Sequence, residues 1–209
     1  MKRSSIKKHF ATPIYYTPLM TGQRGKRFHS ELAEECYRIR DLDQVGQAWC
    51  QKNYVGGYTS YSSIANLHER SHSFIMLEKQ IRKHVYAFAK ELRLNLGDRP
   101  LVMSDFWVNI MPTAVTHALH LHPLSVISGT YYVQTPRGCS SISFEDPRLP
   151  MFMASPPRYT DAQGNDGMLV SYPAKAGNLV LFESWLRHQV SANPSKEDRI
   201  SVSFNYAWG

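Results

Sequence analysis

The chain has 209 residues, 43% hydrophobic and 12% aromatic, which is ample for a packed core and excludes a disordered segment. The formal net charge of +7 favours anionic partners, but outside Lys2-Arg3-Ser4-Ser5-Ile6-Lys7-Lys8 the basic residues are spread thinly, so solvation is a better account of it than nucleic-acid binding. Cys36, Cys50 and Cys139 are odd in number and lack CxxC spacing, His9-Phe10-Ala11-Thr12-Pro13 breaks any signal-peptide core, and no apolar run can span a bilayer; the expectation is a cytoplasmic protein without a membrane anchor.

A first helix is expected from about Ser30 to Arg40, with Leu32, Cys36 and Ile39 on one stripe and Glu31 and Glu34 in the opening turns. Tyr54 to Ser63, rich in Gly, Ser and Tyr, reads as a loop or irregular strand whose tyrosines either line a cleft or pack onto the core. Phe74, Leu77, Ile81, Val85, Phe88 and Leu92 recur at helical steps, with Ser73 placed to cap and Gly97-Asp98-Arg99-Pro100 to terminate. Past Pro100 the pattern turns to strands, at about 102–111, 119–122, 126–134, 140–144, 168–172, 178–182 and 199–206.

Many short strands without interleaved helices predict a mainly β fold, a sandwich or jelly roll buttressed by the N-terminal helices. The chain is expected to form one domain, with 1–100 the helical part and 101–209 the jelly-roll core. The stretch Glu145–Gly167, with Pro147, Pro150, Pro156, Pro157 and Gly164, is too long for a hairpin turn. Its Met151, Phe152, Met153 and Tyr159 either close over a site or pack down on the barrel.

The chemistry lies in the second half. On a strand, residues i and i+2 share a face, so His120 and His122 can aim two imidazoles at one metal ion, and His188 can complete a facial set from a neighbouring strand or loop. His117 falls on the other parity and reads as a supporting or surface residue. Arg199, Ser201, Ser203 and Asn205 share one face of the last strand, opposite Ile200, Val202, Phe204 and Tyr206. That polar face is either solvated or turned into a barrel, where Arg199 and Ser201 can grip a carboxylate.

The arrangement Trp107-Val-Asn109, His120-Leu-His122-Pro123, Ser128-Gly129-Thr-Tyr131-Tyr132, Phe182-Glu-Ser184-Trp185-Leu-Arg-His188 and Arg199-Ile-Ser201-Val-Ser203-Phe204-Asn205 resembles a prolyl-hydroxylase-like branch of the 2-oxoglutarate- and Fe(II)-dependent oxygenases. The opening Phe10-Ala-Thr-Pro13-Ile14 and the stretch from Gly56-Gly57-Tyr58 to Leu67-His68-Glu69 have counterparts there too, so the likeness spans nearly the whole chain. It implies a double-stranded β-helix with iron at its mouth, His120 and His188 as ligands, Arg199 as the clamp on the far carboxylate of 2-oxoglutarate, Tyr132 as its helper and Asn109 as a further cosubstrate contact. Fe(II), 2-oxoglutarate and O2 would together hydroxylate a small-molecule or peptidyl substrate that the sequence does not identify, with succinate and CO2 as by-products.

The departure is at position 122, where the superfamily carries Asp or Glu. Either His122 is the third ligand, which strand parity favours, or Asp146, Glu145 or Glu183 replaces it. Three other readings stay open: a three-histidine dioxygenase without 2-oxoglutarate, with Arg199 on the substrate's own carboxylate; a non-catalytic jelly-roll binding module; and, on the +7 charge, a nucleic-acid-binding protein.

Overall fold

A computed structural model describes residues 7, 9–160 and 167–209; most of the basic opening segment and Gly164 of the long loop lie outside the described residues. In chain order the elements are β1 (Tyr15–Pro18), α1 (Gly22–Leu42), α2 (Gln44–Asn53), β2 (Tyr58–Thr59), α3 (His72–Glu91), β3 (Leu101–Met111), β4 (His117–His120), β5 (Ile127–Gln134), β6 (Ile142–Glu145), β7 (Leu169–Tyr172), β8 (Asn178–Glu183), β9 (His188–Val190) and β10 (Arg199–Trp208). One antiparallel sheet runs β1-β8-β5-β10-β3-β2 and a second runs β4-β9-β6-β7, giving the mainly β double-stranded β-helix, or jelly roll, with N-terminal helices.

The larger sheet works because its strands alternate. On β10, Ile200, Val202, Phe204 and Tyr206 are buried on the face that meets the helices. There Phe74 of α3 packs edge-on against Phe106 at 5.6 Å between ring centroids, and Phe106 packs on Phe204 at 6.1 Å. Phe74, Leu77, Ile81 and Val85 are fully buried, and burial of such side chains stabilises the fold by roughly 1.5–3 kcal/mol each. The polar groups under this helix are paired: Tyr206 donates to Glu78 at 3.1 Å, and Arg82 holds the same carboxylate at 2.7 Å. The opposite, polar face of β10 is thereby turned toward the smaller sheet.

Several boundaries differ from expectation. Helix α1 is longer at both ends than the apolar stripe suggested, and α3 begins at His72 with Ser71, not Ser73, at the N-cap position. Helix α2 was not foreseen, because only Gly46 and Cys50 of it are buried while Val45 stays exposed. Its start is marked by Asp43, whose carboxylate accepts from the Gly46 N–H at 2.9 Å. Strand β4 ends at His120, and its pairing with β9 shifts register between His117 and His120, so His122 belongs to the turn that follows rather than to a strand reaching 122. In the long loop, Met151, Met153 and Tyr159 are exposed and Phe152 lies beneath Arg158 at 4.9 Å; these residues neither border the cleft described below nor pack into the core.

Candidate metal and cosubstrate site

Between the two sheets opens a cleft of about 680 Å³. Its floor is the polar face of the larger sheet. In the register of β10 with β3, Arg199 faces Met111, Ser201 faces Asn109, Ser203 faces Trp107 and Asn205 faces Asp105. With β5, Ser201 faces Tyr132, Ser203 faces Thr130 and Asn205 faces Ser128. It is lined as well by Trp49, Tyr54, Tyr61, Trp107 and Leu121, of which Trp49, Tyr61 and Leu121 are exposed and border its mouth. The tyrosine-rich loop therefore does both things the sequence allowed: Tyr54 and Tyr61 line the cleft, whereas Tyr58 is buried and donates to Asp43 at 2.8 Å.

Three histidines converge at one side. His120 and His188 are direct partners in the β4–β9 register, and their ring centroids are 4.3 Å apart. His122 comes from the turn after β4, fixed there by its backbone N–H donating to the Ser184 carbonyl at 2.9 Å, and its ring lies 5.3 Å from His120 and 5.0 Å from His188. One nitrogen from each of the three lies within 4.8 Å of the others, and among the described residues no Cys, Asp or Glu joins this group. Asp146 instead takes a bidentate pair with Arg148 at 2.8 and 2.9 Å, and Glu145 pairs with Arg187 at 2.8 Å.

The donor chemistry suits a metal ion. His120 Nδ1 lies 2.7 Å from the Ala118 carbonyl and His188 Nδ1 lies 3.0 Å from the Leu186 carbonyl. A carbonyl only accepts, so both rings carry their proton on Nδ1 and leave the Nε2 lone pair free. Burial, with the neighbouring His120 adding to it, lowers His122 to about 4 and His188 to about 3, so both rings are neutral donors near pH 7. His117, lowered to about 3 chiefly by burial, packs its ring on Tyr54 at 4.5 Å and stands outside the group of three.

At the other side lies Arg199, only 2% exposed. Its Nε donates to the Ser140 carbonyl at 3.1 Å, and one terminal nitrogen reaches Met111 Sδ at 3.3 Å and Ser201 Oγ at 3.4 Å. None of these partners is an anion, and no described carboxylate pairs with the guanidinium. The Tyr132 ring lies 5.1 Å from it, and the Tyr132 hydroxyl, pushed up to about 12 by burial, stays protonated. That hydroxyl, Asn109 Oδ1, Ser140 Oγ and the Tyr54 hydroxyl are all buried without a hydrogen-bond partner. A buried cation beside unpartnered polar groups fits an acidic ligand that completes them.

Residues 105–205, which hold every one of these histidines and Arg199, match a family described as "Putative 2OG-Fe(II) oxygenase". The matched stretch is that of a 2-oxoglutarate- and Fe(II)-dependent oxygenase. Its cofactors are Fe(II) and 2-oxoglutarate, with O2 as co-reactant. No curated protein matches the oxygenase in sequence. Its fold is similar to that of a Pseudomonas putida prolyl-4-hydroxylase, at 15% identity and a TM-score of 0.58 over 95% of this chain and 94% of that one. It is similar also to the alpha ketoglutarate dependent epimerase SnoN from nogalamycin biosynthesis (16%, TM-score 0.62, 94% and 76%) and to HygX from Streptomyces hygroscopicus with nickel and 2-oxoglutarate bound (13%, TM-score 0.61, 94% and 83%). At such identities the likeness speaks for the fold alone. Among the oxygenase's described residues, no helix is long and apolar enough to cross a membrane.

Sequence reasoning brought together His120, His122, His188, Arg199, Ser201, Tyr132 and Asn109, and the structure places the histidines at one side of the cleft and the other four around the guanidinium side of its floor. It assigned no role to Asp105, Ser128 and Ser184. Parity on β3, where Asp105, Trp107 and Asn109 share a face, was the available signal for the first of them.

Proposed function

We propose that His120, His122 and His188 hold the Fe(II), that Arg199, Ser201, Tyr132 and Asn109 seat 2-oxoglutarate beside it, and that the enzyme hydroxylates a small molecule or a peptide in the cytoplasm, the whole chain acting as one domain. The observation that carries this reading is Arg199. An unpaired buried charge costs several kcal/mol, and this one lies in the same cleft as three converging imidazoles, so a dicarboxylate that also reaches the metal explains both. When bound, the iron would let O2 act as the oxidant, one oxygen atom going to 2-oxoglutarate, which would leave as succinate and CO2, and the other to the substrate.

The protein's own part is placement. Arg199 pairs in two-pronged fashion with the far carboxylate and the Tyr132 hydroxyl donates to it, which fixes the cosubstrate's direction. Trp107, Tyr61, Trp49 and Leu121 wall the remaining space and keep water from the reacting atoms. The cleft volume lies in the range typical of small-molecule sites, about 300–1,000 Å³. HygX has been crystallised with hygromycin B, and a Trichoplax adhaerens prolyl hydroxylase with a peptide fragment, which supports both substrate classes for this fold. Arg199 is the one Lys or Arg among the described residues lining the cleft, which argues against a nucleic-acid substrate.

The test is calorimetric titration of 2-oxoglutarate into Mn(II)-loaded protein. Arg199→Ala should weaken binding by about ten- to a hundredfold while leaving Mn(II) affinity unchanged, and Arg199→Lys, which keeps the charge without the fork, should fall between. Wild-type 2-oxoglutarate affinity in Arg199→Ala would remove the reading.

A further inference from the structure

A chain of hydrogen bonds leads from His122 to a carboxylate. His122 Nδ1 lies 2.7 Å from Asn205 Oδ1 and 2.9 Å from Ser128 Oγ, and Asn205 Nδ2 donates to Asp105 Oδ2 at 3.0 Å. The three supporting residues come from adjacent strands: Asn205 on β10 faces Asp105 on β3 and Ser128 on β5. Asn205 is 3% exposed, and Ser128, which bonds Asn205 Oδ1 at 2.8 Å and Ser184 Oγ at 2.7 Å, is fully buried.

The direction of each bond follows from what each group can do. A carboxylate only accepts, so Asn205 must turn its NH2 toward Asp105 and its carbonyl toward His122. That carbonyl only accepts, so His122 must carry its proton on Nδ1 and present the Nε2 lone pair. His120 and His188 reach the same tautomer by bonding neutral backbone carbonyls, whereas the His122 chain ends on a charge. Asp105 is held by Ser104 Oγ at 2.9 Å, and among the described residues it forms no salt bridge, so no protein cation offsets its charge.

We infer that Asp105 is a positioning residue of the oxygenase: through the Asn205 amide it fixes the tautomer of His122 and lends negative charge to a ligand set of three neutral imidazoles. The inference rests on the reading of His122 as a metal ligand. A histidine whose Nδ1–H is drawn toward an acceptor is the more basic at Nε2, and here the amide carries that pull from a carboxylate bonded to Asn205 rather than to the ring. The site thus gains carboxylate character without giving up a coordination position to an anion.

Two measurements test it without relying on turnover. In the metal-free protein at pH 7.5, nitrogen NMR of ¹⁵N-labelled histidine should show His122 as the Nδ1–H tautomer; the Nε2–H form would overturn the relay outright. Mn(II) affinity then gives a double-mutant cycle, in which the isosteric Asp105→Asn should weaken binding about tenfold in the wild-type background and have no further effect in Asn205→Ala, where the relay is already cut. Additive losses would mean that Asp105 acts by another route, and an Asp105→Asn protein with wild-type affinity would mean that it does not act at all; either result overturns the inference. His122→Ala separates the two ideas. Undiminished Mn(II) affinity there takes His122 off the metal and overturns both, whereas loss of Mn(II) there together with additive Asp105 and Asn205 effects overturns the relay alone.

Discussion

His120, His122 and His188 reach a common point by different local devices: a strand end, a turn tied to the Ser184 carbonyl, and a short strand paired to the first. Each removes one donor from a three-donor set when replaced by alanine. His120→Ala, His122→Ala and His188→Ala should therefore each weaken Fe(II) binding by more than the roughly 10–100-fold that losing an outer hydrogen-bond partner costs, with the circular-dichroism spectrum unchanged. His117→Ala is the control. His117 is as near in sequence as the others but leans on Tyr54 and offers no nitrogen to the group, so anaerobic Fe(II) titration should find its affinity close to wild type. A loss equal to that of His120→Ala would show that the metal sits elsewhere. The identities of these residues were plain in the sequence, but the reason they meet was not: parity along one strand does not describe a ring that hangs from the turn beyond it.

At the scale of the element, β10 carries the whole division of labour, its apolar parity under the helices and its polar parity on the cleft floor. The same strand forces its neighbour to be thin at one place. Gly129 of β5 faces Phe204, and a Cβ added there would lie 2.5 Å from the Phe204 ring, 2.5 Å from the Val180 carbonyl oxygen and 2.7 Å from a Leu181 methyl. Backbone cannot move aside as a surface side chain can, so Gly129→Ala should cost about 1–3 kcal/mol and lower the urea midpoint. An unchanged midpoint would mean that β5 can slide away from β10, contrary to the packing described. The strands of the second half, the three-residue β9 excepted, were legible because alternation is strong where one face is buried. Helix α2 was not, since its exposed Val45 and half-exposed Trp49 break the usual apolar stripe, and Trp49 is turned to the mouth of the cleft instead.

For the whole molecule, the enclosed histidines set an acid limit on stability. His117 and His188 are lowered to about 3 and His122 to about 4, all chiefly by burial, against an ordinary value of 6.5. The unfolded chain therefore takes up protons below pH 6.5 that the folded protein refuses. Stability of the metal-free protein should be fully present above about 6.5 and decline as pH falls toward 4, by about 1.4 kcal/mol per pH unit for each group before coupling between them reduces it. Urea denaturation at pH 7.5 and 5.5 reads this directly, and equal midpoints would show that these rings are not desolvated in the folded state. Saturating Mn(II), which binds only neutral rings, should raise the midpoint most at the higher pH.

The sequence by itself determined the fold class, the metal-suited histidines and the lone arginine, because each is written in a local period or in a short motif whose chemistry needs few partners. Tertiary structure alone decided what those groups face. That Arg199 lacks an acidic partner, that Glu145 is taken by Arg187, and that Asp105 reaches His122 through Asn205 all depend on strands far apart in the chain, 105 and 205 among them, being brought into register. A periodic pattern fixes which way a side chain points, but only the pairing of strands fixes what it meets.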